Sequence, residues 1–161
     1  MSPGAVQWLI IDGYSLLHRD PDLKPLLRQR LELARQRLIR KVEPVMGDWA
    51  DRITIVFDGR GDRGGTDSLD SAIEVFFAPA RYTADTVIER LVHAASDPAA
   101  VLVVTSDRAE RETVSAAGAD TLSCGDFLER LARDEARGRS RSSGPRMRGG
   151  VSGSLGDHFP V

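Results

Sequence analysis

Three apolar, β-rich runs of this sequence each end by delivering a carboxylate. "VQWLII" (6–11) runs into Asp12, "ITIVF" (53–57) into Asp58, and "VLVVT" (101–105), after Ser106, into Asp107. A fourth acid, Asp85, falls in the first turn of a helical stretch that begins at Thr83, with Glu89 one turn further on the same face. Singly, an acid at a strand end reads equally as a solvated loop residue, and one at a helix start as a cap or a complement to the helix dipole. Their conjunction points to more. In a parallel sheet such ends converge, and carboxylates crowded together repel one another unless a cation neutralises them. Oxygen ligands without histidine or cysteine suit a hard ion, Mg²⁺ or Mn²⁺. His18, His93 and His158 stand far apart and Cys124 is the sole cysteine, so there is no zinc pattern and no intramolecular disulfide. No Gly-x-Ser-x-Gly elbow offers a nucleophilic serine.

The elements that must position these acids follow from the pattern between them. "AIEVFF" (72–77) and the short "ADTLS" (119–123) add two strands, and continuous apolar runs belong to strands covered on both faces. Helical patterns fill 23–47, 83–96, 107–118 and 125–136, the first and third ended by Gly47 and Gly118. Strands alternating with helices predict an α/β fold, a three-layer α/β/α sandwich around a central, mostly parallel sheet. Functional groups in such sheets gather beyond the carboxyl ends of the strands.

Composition sets the frame: 161 residues, 41% hydrophobic and 29% charged, suit one domain with a real core. The chain has a net charge of −2, yet after Ala136 five arginines face a single acid, Asp157. The body is therefore acidic and the tail basic. With its glycines and serines, 137–161 cannot bury enough surface to offset ordering entropy, so the expectation is a domain over 1–136 and a disordered Arg/Gly/Ser-rich tail over 137–161. The lone cysteine, and the lack of a secretory pattern or of an apolar run near 18 residues, lead us to expect a cytoplasmic protein without membrane attachment.

The stretches "LIIDGYSLLH", "ITIVFDG", "YTADTVIERL", "VVTSD" and "CGDFLERL" resemble, in order and spacing, the YacP-like branch of the NYN domains, relatives of the PIN-domain nucleases. They span roughly 6–132. The resemblance implies a PIN-like fold and metal-dependent endoribonuclease activity on RNA, including mRNA on the ribosome, and it carries the site onto Asp12, Asp58, Asp85 and Asp107. The family commonly has Asn where this chain has Ser15, whose hydroxyl can still hydrogen-bond a carboxylate or a bound water. In that scheme Asp12, Asp85 and Asp107 are the primary ligands, and Asp58 completes the cluster or holds a second ion. A metal so held would activate water and stabilise charge on a phosphodiester during in-line displacement.

Other residues keep two readings. Glu89 orients a ligand or water, or pairs with a base. Tyr14 stacks on a nucleobase or packs into the core. Ser106 lies beside the ligands and reads first as the cap of the 107–118 helix. Arg60 and Arg63 reach phosphate near Asp58 or sit on a solvated loop, and Arg137, Arg139 and Arg141 capture RNA or merely solubilise. "GRGDRG" (59–64) fits the dinucleotide-binding spacing but is followed by a polar, then strand-like stretch where a helix is required, so 59–71 reads as a mobile loop. The alternative to a ribonuclease is a catalytically weak or inactive RNA- or ribosome-binding module of the same fold. An aspartyl phosphatase is disfavoured, because "DGY" lacks a second acid two residues on.

Overall fold

A computed structural model describes residues 6–59, 65–66 and 72–141. The first strand, β1 (Val6–Asp12), is followed at once by a short helix, α1 (Gly13–Arg19). Helix α2 (Leu31–Val42) leads to β2 (Ala50–Asp58), then a two-residue strand, β3 (Gly65–Thr66), and β4 (Glu74–Ala78). Helix α3 (Ala84–Ala94), β5 (Val101–Val104), α4 (Arg108–Ala116), β6 (Asp120–Leu122) and α5 (Cys124–Arg141) complete the described residues.

The six strands lie in the order β3-β4-β2-β1-β5-β6, parallel throughout except for β3, which runs antiparallel to β4. Alternate side chains face opposite ways along each strand, so the continuous apolar runs feed two cores. Leu9, Ile11, Ile55 and Phe57 pack with Leu16 of α1, Leu38 of α2 and Phe127 of α5. Ile10, Val56 and Val103 pack with Ile88 of α3 and Val114 of α4. The α/β/α sandwich expected from the sequence is the observed fold. Cys124 is wholly buried, and burial pushes its thiol up to about 11, so it is an uncharged core residue. No helix among the described residues is long and apolar enough to cross a membrane.

The order of the strands fixes where a site can form. From β1 the chain moves outward through β2 and β4, then returns past β1 to β5 on its other side. The carboxyl ends of β1 and β5 therefore flank the topological switch point, the place in a parallel sheet where loops part and leave a crevice.

Several local expectations differ from the structure. The helical pattern of 23–47 resolves into α2 between two 3₁₀ turns, Lys24–Leu26 and Glu43–Val45, each with proline in its first turn. Proline cannot donate to an interior helical hydrogen bond, and the buried stripe Ala34, Leu38, Ile39 and Val42 spans only the α-helical part. Gly118 ends α4 at φ +106°, as its position suggested. Gly47, at φ +86°, instead turns the chain into β2 beyond the second 3₁₀ turn. The loop reading of 59–71 gives way at Gly65–Thr66, which pair with Phe76 and Phe77. Helix α5 runs to Arg141, so 137–141, assigned to the tail, continue the last helix.

Gly13, the first residue of α1, is packed so tightly that an added Cβ would meet the wholly buried Phe57 ring at 2.3 Å. Gly13→Ala should destabilise by about 1–3 kcal/mol, the overlap outweighing alanine's better helix propensity. Urea unfolding checks this: the midpoint falls with an unchanged m-value.

Candidate metal centre

Asp12 ends β1 and caps α1: its Oδ1 accepts from the Ser15 backbone N–H at 3.3 Å and its Oδ2 from the Ser15 hydroxyl at 3.1 Å. It is only 6% exposed. The first turn of α3 brings Asp85 to it, and α4 brings Glu110. One carboxylate oxygen from each of Asp12, Asp85 and Glu110 lies within 4.8 Å of the others. Glu110 is a buried acid at 3% exposure, on the same inward stripe of α4 as Val114. Its Oε2 accepts from the buried Thr105 hydroxyl at 2.9 Å, while its Oε1 has no donor.

Burial comes first in the electrostatics. It raises the Asp12 carboxyl above its ordinary value, Ser15 opposes the rise through both hydrogen bonds, and the Asp85 charge adds to it. Burial, then the Asp12 charge and the proximity of Asp85, push Glu110 up to about 9. A buried carboxylate oxygen without a donor, facing two further acids, is satisfied in two ways: by a proton shared with its neighbours, or by a cation. An all-carboxylate donor set fits a hard divalent ion, and the group is accommodated without any rearrangement of ligand type.

Asp58 and Asp107 face the same basin, a cavity of about 530 Å³ also lined by Asp12, Asp85, Tyr14, Ser15 and Ser106. Each commits one oxygen to the backbone. Asp58 Oδ1 accepts from the Ala84 N–H at 2.8 Å and so ties down the start of α3, which carries Asp85. Asp107 Oδ1 caps α4, accepting from the N–H groups of Ala109 at 2.9 Å and Glu110 at 3.4 Å. The cap of α4 is thus Asp107, where the sequence reading gave that task to Ser106. Asp107's own N–H donates to Thr105 Oγ1 at 3.2 Å, so Thr105 links the ends of β5 and α4 to Glu110.

Ser15 fills the place the family commonly gives to Asn, and its hydroxyl reaches Asp12 directly. Ser15→Ala should weaken divalent binding roughly 10- to 100-fold, the range for groups that orient a ligand. Calorimetric titration with Mn²⁺ checks it, and unchanged affinity would show that the Ser15 backbone N–H and the Thr105 hydroxyl alone hold Asp12. Tyr14 lines the basin and also packs edge-on against Phe57 at 5.3 Å; its hydroxyl accepts from Arg35 Nη2 at 2.6 Å. Glu89 is half-buried on α3 and does not line the basin. Arg60 and Arg63 lie outside the described residues, as do the side chains of Arg139 and Arg141; Arg137 is exposed on α5, away from the acids.

Two kinds of residue went unnoticed in the sequence. His18 and Arg19 supply a basic rim to the basin from the end of α1. Glu110 sits three residues after Asp107, the spacing of a capping box, which masks it as helix-start chemistry. The available signal was its phase: four residues before Val114, it falls on the buried stripe of an otherwise polar helix.

With this geometry in view, comparison with known proteins is informative. The model of the YacP-like NYN domain family matches residues 9–150. The uncharacterized protein YacP of Bacillus subtilis (strain 168) is 31% identical over 131 residues, covering 80% of this chain and 77% of the relative. A crystal structure of Rae1 (YacP) from Bacillus subtilis aligns with a TM-score of 0.68 at 30% identity, over 84% of this chain and 79% of the other. A mutant of the same protein gives 0.67 at 28% identity, over 94% and 89%.

Proposed function

The chain belongs to the YacP-like NYN domain family, and from that premise we propose that it is a divalent-cation-dependent endoribonuclease whose centre is Asp12, Asp85 and Glu110. The observation that carries this reading is the buried, donor-less Glu110 Oε1 beside Asp12 and Asp85, the two acids of the cluster that line a basin at the switch point of the sheet.

The residues divide the work by position. Asp12, Asp85 and Glu110 would hold Mg²⁺ or Mn²⁺, which when bound stabilises charge on a phosphodiester and makes water more acidic. Ser15 and Thr105 fix the faces of Asp12 and Glu110 by hydrogen bonds. Asp58 and Asp107 set the helix starts that aim Asp85 and Glu110, and both residues line the basin where a second ion would bind. Arg19 at the rim supplies positive charge, beside the His18 ring, where a phosphate chain must pass an otherwise acidic surface.

The test is incubation of the purified protein with total cellular RNA, with and without Mn²⁺ and with EDTA, followed by mapping of new ends. Discrete internal cleavage that needs the ion supports the proposal. Tight RNA binding with no cleavage under any divalent ion overturns it in favour of a binding module.

A further inference from the structure

A second concavity lies at the opposite edge of the sheet. It has a volume of about 350 Å³ and opens where β1 and β2 begin, under the last turns of α5. Such a volume is that of a small-ligand pocket. Its lining reaches along β1 to Leu9, three residues before Asp12 and about 10 Å from it at the rise of a strand, and it shares no lining residue with the acidic basin. It is therefore no part of the acidic basin, and the inference below stands whether or not that basin cleaves RNA.

Arg130, Arg133 and Arg137 line this pocket together. They recur at three- and four-residue intervals, so α5 presents them as one stripe of stacked cations. Like charges at that spacing cost a few tenths of a kcal/mol per pair unless an anion lies between them. Facing them is Trp49, with the Arg130 guanidinium 5.3 Å from its ring centre. Two carboxylates share the lining, Asp48 and Asp134; the latter accepts from the Trp49 indole N–H at 2.5 Å. Arg133 and Arg137 are exposed and, among the described residues, enter no ion pair. The stripe thus keeps two free guanidinium forks, a geometry that matches phosphate oxygens in pairs, beside an aromatic wall.

We propose that this pocket binds the phosphate of a nucleotide, with Arg133 and Arg137 on the phosphate oxygens and the Arg130–Trp49 pair against the rest of the nucleotide. The nucleotide is either free or one unit of an RNA chain, and the chemistry of recognition is the same.

The experiment uses the full chain and two probes, adenosine monophosphate and a single-stranded RNA decamer, titrated across a salt series. Arg133→Gln with Arg137→Gln should weaken binding roughly tenfold or more, the loss expected for charge-assisted hydrogen bonds. For the decamer the slope of log affinity against log salt should flatten by about 0.7, the figure for one phosphate released. The double change to lysine keeps the charge and loses the forks; it should restore the slope but only part of the affinity. The titrations are run in EDTA, which keeps the acidic centre free of metal and the decamer uncleaved, so that a loss of binding reports this pocket. Loss for both probes supports a nucleotide pocket, and loss for the decamer alone assigns the phosphate to an RNA chain. Unchanged affinity for both probes, or no binding by the parent chain, overturns the proposal.

Discussion

Asp12→Asn lowers divalent-dependent RNA cleavage by at least about a hundredfold, since even groups that merely orient a metal ligand are worth 10- to 100-fold, and the folded state survives. The carboxamide keeps an oxygen for the Ser15 N–H and can donate its NH2 to the Ser15 hydroxyl oxygen, so the cap of α1 persists. What disappears is one negative charge from a trio within 4.8 Å in which Asp12 and Glu110 are buried and Asp85 half-buried. In metal-free buffer the variant is therefore as stable as the parent or more so, because repulsion and the cost of burying a charge are both relieved. Asp107→Asn serves as the informative partner. Asparagine caps a helix as well as aspartate does, so α4 and Glu110 stay in place and any lost activity reports the carboxylate charge itself. A loss equal to that of Asp12→Asn adds Asp107 to the ligand set, and a loss of a few-fold leaves it as the anchor of α4. Full activity of Asp12→Asn, or undiminished parent activity in EDTA, overturns the metal-centred reading. Single-turnover cleavage of a mapped RNA site, with thermal unfolding measured alongside, supplies both quantities.

The difference between what was legible in the sequence and what was not follows from the range over which each signal acts. Strands are announced by continuous apolar runs, as β1, β2 and β5 were, whereas β4 and β6 showed only as the interrupted "AIEVFF" and the short "ADTLS". The ends of β1, β2 and β5 expose Asp12, Asp58 and Asp107 because a charge interrupts an apolar run abruptly. Helix α1 left no such trace: it has seven residues, its buried Leu16 and Leu17 are adjacent, and two turns do not establish a period. Glu110 and Thr105 were hidden for a different reason. Their roles exist only once α4 folds back over β5, and locally each has a simpler explanation, a capping-box glutamate and a strand-end threonine. The converse holds for Asp58 and Asp107, whose placement beside the basin was readable while their backbone hydrogen bonds were not. Sequence reports which residues arrive at an edge; packing decides which of them a helix start consumes.

The same packing predicts how the metal-free protein responds to pH. The folded chain holds a proton on Glu110 up to about 9, whereas the unfolded chain releases it near the ordinary value of 4.5. Between those limits the native state binds more protons than the unfolded one, so stability is greatest at the acidic end and declines as pH rises, by up to about 1.4 kcal/mol per pH unit while one proton is at stake. The raised Asp12 carboxyl acts in the same direction. A bound divalent ion inverts the dependence. Coordination requires the carboxylate, so each ion displaces the Glu110 proton, and affinity rises up to about tenfold per pH unit in that window. Glu110→Gln keeps an acceptor for the Thr105 hydroxyl but has no proton to lose. Its metal-free stability is therefore flatter with pH, and its affinity for Mn²⁺ is both weaker and less pH-dependent. Thermal unfolding in EDTA at about pH 6 and about pH 8.5, with Mn²⁺ titrations in two buffers of different ionisation enthalpy, reads both halves of the linkage. A parent chain that is equally stable at both pH values and releases no proton on binding Mn²⁺ would show that Glu110 is already ionised, and so is held by something other than its acidic neighbours.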